Sequence, residues 1–173
     1  MTNPLRGPQL TGWWGHRDET RFAMTGTMQL ATGAAGYRIS NPPLLLAASL
    51  RGQLDLLAGV PGGMEALRAK SVLLTGYLIH LITCSRWSLP PNCLQVVTPR
   101  RAADRGAQVT LRFVNRSLMP TCFMRLKRRG FICDYRVPDN IRVSPAPLYN
   151  TFRDVYHFAV NLYDILSDLT ATT

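Results

Sequence analysis

The sequence of 173 residues predicts an α+β protein whose second half is a small antiparallel sheet with helices on one face. Three observations support this class. Residues 44–57 are an apolar-rich run after two prolines and residues 64–82 have helical periodicity. The chain from 94 to 169 alternates short strand patterns with two helical ones, and residues 12–43 follow neither period. The order of elements in the second half is strand, strand, helix, strand, strand, helix.

Residues 12–43 carry two unusual strings, Gly-Trp-Trp-Gly-His at 12–16 and Gly-Tyr-Arg-Ile-Ser-Asn-Pro-Pro at 36–43. Glycines beside adjacent tryptophans suggest a backbone free to take positive φ, and Ser40 and Asn41 offer hydrogen bonds from a rigid corner before two prolines. Such a long irregular stretch is typical of a ligand-lining or interface segment. A tryptophan pair is nevertheless more often part of a core, and Asn-Pro is usually only a turn.

Two apolar-rich helices are predicted next, over 44–57 and 64–82, separated by a glycine- and proline-containing break at 59–63. A proline-containing loop over 85–92 follows, and residues 1–10 are expected to be irregular. The stripe of the second helix recurs at three- and four-residue steps and consists of Leu67, Ser71, Leu74, Leu78 and Leu81.

The second half contains four predicted strands, at 94–97, 108–114, 131–135 and 141–144. In the second of them Val109, Leu111 and Phe113 share one face. A helix over 117–129 ends at Gly130, and its basic C-terminal residues favour the helix dipole rather than a phosphate site. Thr151 and Asp154 form a capping pair for the last helix. The apolar stripe of that helix comprises Val155, Phe158, Ala159, Leu162, Leu166 and Leu169.

Composition excludes a disordered chain, since 46% of residues are hydrophobic and 17% are charged. The net charge of +10 comes from eighteen arginines and two lysines, a skew that indicates arginine used in place of lysine more than selection for a polyanion. A basic nucleic-acid-binding module stays open as an alternative, although the aromatic residues are not interleaved with the arginines. The four cysteines lack Cys-x-x-Cys spacing, no histidines have metal-ligand spacing, and no apolar run is long enough to span a bilayer. We therefore expect reduced thiols, no metal and a soluble cytoplasmic protein without a signal peptide.

Arg142 is the sharpest single candidate for binding. It lies between Ile141 and Val143 in a predicted strand, so its side chain is expected on the face opposite those two apolar residues. A guanidinium held on a strand can grip a carboxylate through two parallel hydrogen bonds. Pattern alone favours an ordinary surface arginine. His80 and His157 fall within helices and are expected to be surface or satisfied core residues.

The strings GWWGH and GYRISNPP, together with Asn-Ile-Arg-Val-Ser-Pro-Ala-Pro-Leu-Tyr-Asn at 140–150, resemble kynureninases, and residues 70–78 match as well. The resemblance implies the α/β fold type I of pyridoxal-phosphate enzymes related to aspartate aminotransferase. Residues 1–43 would be the end of the large domain with cofactor and substrate loops. Residues 44–90 would be connecting helices, and residues 91–173 the small C-terminal α+β domain.

The same resemblance implies roles for five residues. Trp13 would contact the phosphate of pyridoxal 5'-phosphate, Asn41 would lie at the cofactor and substrate pocket, and Ser40 would lie near the substrate's aromatic ring. Phe22 would line the ring pocket, and Arg142 would bind the substrate α-carboxylate. In this fold such residues are typically supplied to a neighbouring subunit, so a homodimer is implied. His16 belongs to the first string, but the resemblance gives it no role.

The implied activity is hydrolysis of L-kynurenine or 3-hydroxykynurenine to alanine and an anthranilate, in tryptophan catabolism towards NAD. Two requirements of the family are missing, because neither Lys70 nor Lys127 stands in the family's context for the lysine that holds the cofactor, and none of the eight aspartates stands in the motif for the acid that pairs with the pyridine nitrogen. No catalytic residue is therefore expected in this chain, which is interpreted as the C-terminal third of the enzyme and predicted to be inactive alone. A non-catalytic partner that lends Trp13 and Asn41 to a full-length subunit is the remaining alternative.

Overall fold

A computed structural model describes residues 10–84 and 93–171. The chain divides into two compact units, Met1–Ala58 and Gly59–Thr173. The predicted loop over 85–92 and most of the irregular N-terminal segment lie outside the described residues.

The first unit begins with the irregular segment that the sequence predicts. Between 10 and 43 the backbone forms two short 3-10 helices, Trp13–Gly15 and Gly33–Tyr37, and an isolated bridge between His16 and Leu30. The α1 helix, Leu44–Ala58, follows directly after the two prolines. Both predictions are confirmed.

The glycines of the first string differ from the expectation. Gly12 has φ of −153°, which any residue adopts, so positive φ is not the reason for glycine there. A Cβ at Gly12 would lie 2.0 Å from the carbonyl oxygen of Ile39, and one at Gly15 would lie 2.7 Å from that of Gly36. Glycine is needed for close approach, because these two positions pack directly against the backbone of the second string.

The second unit opens with α2, Gly63–Thr83, which follows left-handed Gly62. Every member of its predicted stripe is buried, and Thr75, Ile79 and Ile82 are buried as well. The buried face of α2 is therefore wider than the predicted stripe. Ile79 and Ile82, which lie outside that stripe, belong to the hydrophobic core of this unit.

The sheet of the second unit has four antiparallel strands in the order β1-β2-β4-β3. They are β1 Leu94–Val96, β2 Val109–Phe113, β3 Asp134–Arg136 and β4 Asn140–Val143. The predicted strand at 131–135 begins three residues later than expected. The cause is that the N–H of Phe131 donates to the carbonyl of Leu126 at 3.0 Å and ends the preceding helix.

Helices α3, Leu118–Arg128, and α4, Phe152–Ala171, contribute with α2 to a core on one face of this sheet, as predicted. Val109, Leu111 and Phe113 are at most 1% exposed, and the intervening Thr110 and Arg112 lie on the other face. The helices supply most of the remaining core, including Met119, Cys122, Leu126, Leu162, Ile165 and Leu166.

Helix ends follow the local signals. Gly130, with φ of +87°, continues α3 into a left-handed cap, and its N–H donates to the carbonyl of Lys127 at 3.0 Å. Two of the basic residues at the C-terminal end of α3 also form ion pairs with α4. Arg125 pairs with Asp168, and Arg129 pairs with Asp164.

The predicted capping pair of α4 is confirmed at both of its bonds. The N–H of Thr151 donates to Asp154 Oδ2 at 2.8 Å, and the N–H of Asp154 donates to Thr151 Oγ1 at 3.2 Å. Two backbone donors at the start of the helix are thereby satisfied by side chains of the same turn.

Candidate functional site

All four predicted site residues of the first unit line one cavity of about 460 Å³. The two strings meet there because their glycines allow close backbone approach. The lining residues are Trp13, Trp14, Phe22, Ile39, Ser40 and Asn41.

The cavity combines flat aromatic faces with a few polar groups. Trp13, which is 48% exposed, meets Phe22 edge to face with ring centroids 5.6 Å apart. The indole Nε1–H of Trp14 donates to Oδ1 of Asn41. Since that bond uses the carbonyl side of the Asn41 amide, Asn41 offers its Nδ2 hydrogens as donors to a ligand.

Trp14 and Ile39 are the two lining residues that the sequence argument did not single out. The ring of Trp14 is covered by the guanidinium of Arg21, 4.5 Å from its centroid, and that arginine's side chain is only 9% exposed. A nearly buried cation on the ring holds it in place. The only sequence signal for Trp14 was its position inside the first string.

His16 contacts residues at both ends of the loop over 17–29 in the first unit. Its Nε2 accepts the backbone N–H of Gln29 at 3.3 Å. Nδ1 lies 3.2 Å from Thr20 Oγ1 and 3.3 Å from the carbonyl of Arg17. The ring thus ties together the two ends of the 17–29 loop that carries Phe22.

Arg142 lies on β4 in the second unit, on the face opposite the buried Ile141 and Val143, as predicted. Its side chain is 32% exposed. It stands directly across from Asp134 on β3 and Thr110 on β2. Its Nε–H donates to Asp134 Oδ2 at 2.8 Å, and Nη2 donates to the same oxygen. The hydrogen bond from Arg142 is the main reason why the pKa of Asp134 lies below its ordinary value.

Neither lysine lines the cavity of the first unit. The ammonium of Lys70 donates to the carbonyl of Pro147 at 2.7 Å, and Lys127 is exposed near the end of α3. Burial raises the pKa of the Cys122 thiol to about 12 and that of Cys133 to about 11, so both are protonated and weakly nucleophilic near neutral pH.

The described residues, 10–84 and 93–171, contain no group of three or more histidine, cysteine or acidic residues placed to hold a metal ion. Their helices also include none with the length and apolar character needed to cross a membrane.

The second unit, an antiparallel four-stranded sheet with helices on one face, defines a small α+β domain. The family model of the kynureninase C-terminal domain matches residues 67–162, which is more than half of the chain. The chain belongs to the kynureninase C-terminal domain family.

Kynureninases of several organisms are similar in sequence to nearly the whole chain. Kynureninase of Schistosoma japonicum is 49% identical over 166 residues, which cover 96% of this chain and 38% of that protein. Kynureninase of Myxococcus xanthus is 47% identical, covering 90% of this chain and 34% of its own length. Kynureninase of Homo sapiens is 44% identical, with 92% and 34% covered. The chain thus spans little more than a third of the length of these relatives.

Proposed function

We propose that this chain supplies the C-terminal part of a cytoplasmic, homodimeric kynureninase. The complete enzyme would hydrolyse L-kynurenine or 3-hydroxykynurenine to L-alanine and anthranilate or 3-hydroxyanthranilate, in tryptophan catabolism towards NAD. The observation that carries the proposal is the meeting of Trp13, Phe22, Ser40 and Asn41 around one cavity, although they are spread along residues 13–41. Similarity to proteins named kynureninase gives independent support.

Pyridoxal 5'-phosphate fits the donors of this cavity at its phosphate end. The indole N–H of Trp13 and the Nδ2 hydrogens of Asn41 are neutral donors suited to phosphate oxygens. The cofactor, when bound, supplies an electron sink that the amino-acid side chains lack. Neither Lys70 nor Lys127 lies at this cavity, so we assign no residue of this chain to the covalent attachment of the cofactor.

The substrate would be held at its two ends by different residues. Arg142 would bind the α-carboxylate through charge-assisted hydrogen bonds, which fix orientation as well as charge. Ser40 and Asn41 would hold the aryl ketone end by hydrogen bonds, and Phe22 would pack against its ring. These groups bind and orient the substrate, and none of them is assigned a proton transfer.

The arrangement of charge favours an enzyme part over a nucleic-acid-binding module. Within the described residues, eight arginines form ion pairs with aspartates. A surface built for a polyanion would leave its guanidinium groups available to phosphates. The paired arginines are Arg21, Arg51, Arg101, Arg116, Arg125, Arg129, Arg136 and Arg142.

A fusion protein tests the proposal. The matching C-terminal segment of Schistosoma japonicum kynureninase is replaced by this chain, and anthranilate release from L-kynurenine is measured with added pyridoxal 5'-phosphate. We expect turnover by the fusion and none by the purified 173-residue chain. Circular dichroism and size-exclusion chromatography of both proteins serve as folding controls.

Two results would oppose the proposal. A folded fusion without turnover would reject the function. Sustained turnover by the 173-residue chain alone would reject the view that the covalent anchor of the cofactor lies outside these residues.

A further inference from the structure

The open face of the sheet carries a compact charged cluster. Asp134 and Arg142 are direct partners across β3 and β4, and Arg136 lies two residues along β3 on the same face. A single oxygen, Asp134 Oδ2, accepts hydrogen bonds from both arginines. The donors are Nε and Nη2 of Arg142, with Nε at 2.8 Å, and Nε of Arg136 at 2.9 Å.

This bonding leaves one defined edge of Arg142 for a ligand. A guanidinium presents two edges that can each bind a carboxylate with two parallel N–H donors, one formed by Nε and Nη2 and one by Nη1 and Nη2. Asp134 lies on the first edge. A carboxylate arriving at Arg142 would therefore pair with the Nη1–Nη2 edge.

The charge of the cluster suits a single carboxylate. Arg142 and Asp134 alone would be neutral and would attract an anion weakly. Because Arg136 shares the same aspartate oxygen, the three side chains together carry one positive charge. Their hydrogen bonds to Asp134 also keep its pKa low, so the aspartate stays ionised at neutral pH.

We infer that Asp134 and Arg136 are positioning residues: Asp134 holds Arg142 with its Nη1–Nη2 edge available to an amino-acid carboxylate, and Arg136 keeps the cluster at a net charge of +1. The inference rests on the proposed function, in which Arg142 binds the substrate α-carboxylate. An arginine side chain loses substantial rotamer freedom when it binds, and fixing it beforehand removes part of that cost.

Removal of the aspartate charge separates positioning from simple electrostatics. Asp134→Asn raises the charge of the cluster from +1 to +2, so electrostatic attraction alone predicts tighter binding of an anion. If the aspartate acts by orienting Arg142, the same substitution weakens binding. Arg136→Gln lowers the charge to zero and weakens binding on either view.

The experiment uses the 173-residue chain labelled with ¹⁵N and follows the Nε–Hε signal of Arg142, assigned by comparison with Arg142→Lys. The probes are L-kynurenine and kynuramine, which lacks the carboxylate. We expect the wild-type signal to shift with L-kynurenine only. We expect Asp134→Asn to raise the dissociation constant about tenfold and to broaden the signal without ligand, and Arg136→Gln to raise the constant severalfold.

Asp104→Asn is the matched control, because it removes an exposed aspartate–arginine pair, with Arg101, from the same unit. It should leave the titration unchanged, and backbone spectra verify that each variant is folded. Equal or tighter binding by folded Asp134→Asn overturns the inference and leaves the proposed function standing. If L-kynurenine does not shift the wild-type signal, the held Nη1–Nη2 edge does not bind an amino-acid carboxylate in this chain and the inference fails, whereas the proposed function is still decided by turnover of the fusion protein.

Discussion

Gly12 explains why the first string of the sequence has glycine beside its tryptophans. A Cβ added at Gly12 would lie 2.6 Å from both the carbonyl carbon and the Cα of Ile39, and the carbonyl oxygen of Ile39 would be closer still, so all three nearest atoms belong to the backbone. The contact brings Trp13 next to Ser40 and Asn41. The shape of the cavity therefore depends on glycine at position 12 as well as on the aromatic side chains.

Gly12→Ala is expected to destabilise the chain by about 1–3 kcal/mol, because a backbone contact cannot yield as the end of a flexible side chain can. Urea unfolding followed by tryptophan fluorescence measures the effect. Gly26→Ala is the matched control, since its added Cβ meets no atom within 4 Å in the described structure. Equal stability of Gly12→Ala and wild type would show that the two strings are not packed this closely.

At the scale of residues, a string that carries its own signal can be recognised from the sequence. Trp13, Ser40 and Asn41 stand in two motifs whose residues line one cavity, and the strand face of Arg142 follows from alternation along β4. Their binding roles stay predictions. The hydrogen bond from Trp14 to Asn41 could not be predicted, because it joins two strings through a fold contact that no local pattern encodes. The same holds for Asp134, whose importance depends on strand register.

The start of α4 illustrates what a local pattern predicts well. A threonine and an aspartate three residues apart are enough to specify both capping bonds, and both are present. β3 is the opposite case, because its start depends on whether the N–H of Phe131 serves the sheet or the preceding helix. Apolar alternation at 131–135 cannot decide between those two partners.

Thr151→Ala is expected to cost about 1 kcal/mol, within the usual range of about 0.5–2 kcal/mol for loss of a capping hydroxyl. Chemical unfolding followed by circular dichroism at pH 7 measures it. Thr151→Ser keeps the hydroxyl and should retain most of the stability. If alanine and serine are equivalent at this position, the capping bond from the hydroxyl contributes nothing.

The same helix start gives a pH dependence with a definite sign. The N–H of Thr151 donates to Asp154 and is the main reason why the pKa of that carboxyl lies below its ordinary value of 3.8. The stabilisation is therefore present above pH 3.8 and is lost as the pH falls through the lowered value. The contribution of Asp154 should persist in Thr151→Ala, which keeps the backbone donor. In Asp154→Asn the loss of stability on acidification, measured by urea unfolding at pH 7 and at pH 3, should be smaller than in wild type, and the part due to Asp134 should remain.

At the scale of the whole molecule, the elements were predictable and their arrangement was less so. Helical and strand periodicities identify α1, α2, α3 and α4 and the antiparallel α+β class, since each element carries its own pattern. The strand order β1-β2-β4-β3 required the structure, because pairing between distant strands depends on packing and not on local sequence. Family membership then identifies the second unit more firmly than its fold class alone does.

The binding of the substrate carboxylate by Arg142 is the central claim about the second unit. The most direct measurement is kcat/KM for L-kynurenine in the fusion with Schistosoma japonicum kynureninase, compared between the wild-type segment, Arg142→Gln and the exposed control Arg101→Gln. The account predicts a loss of about 100-fold or more for Arg142→Gln, because a charged hydrogen-bonding partner of the substrate is removed, and no change for Arg101→Gln. A folded Arg142→Gln fusion with the same kcat/KM as the wild-type fusion would contradict it.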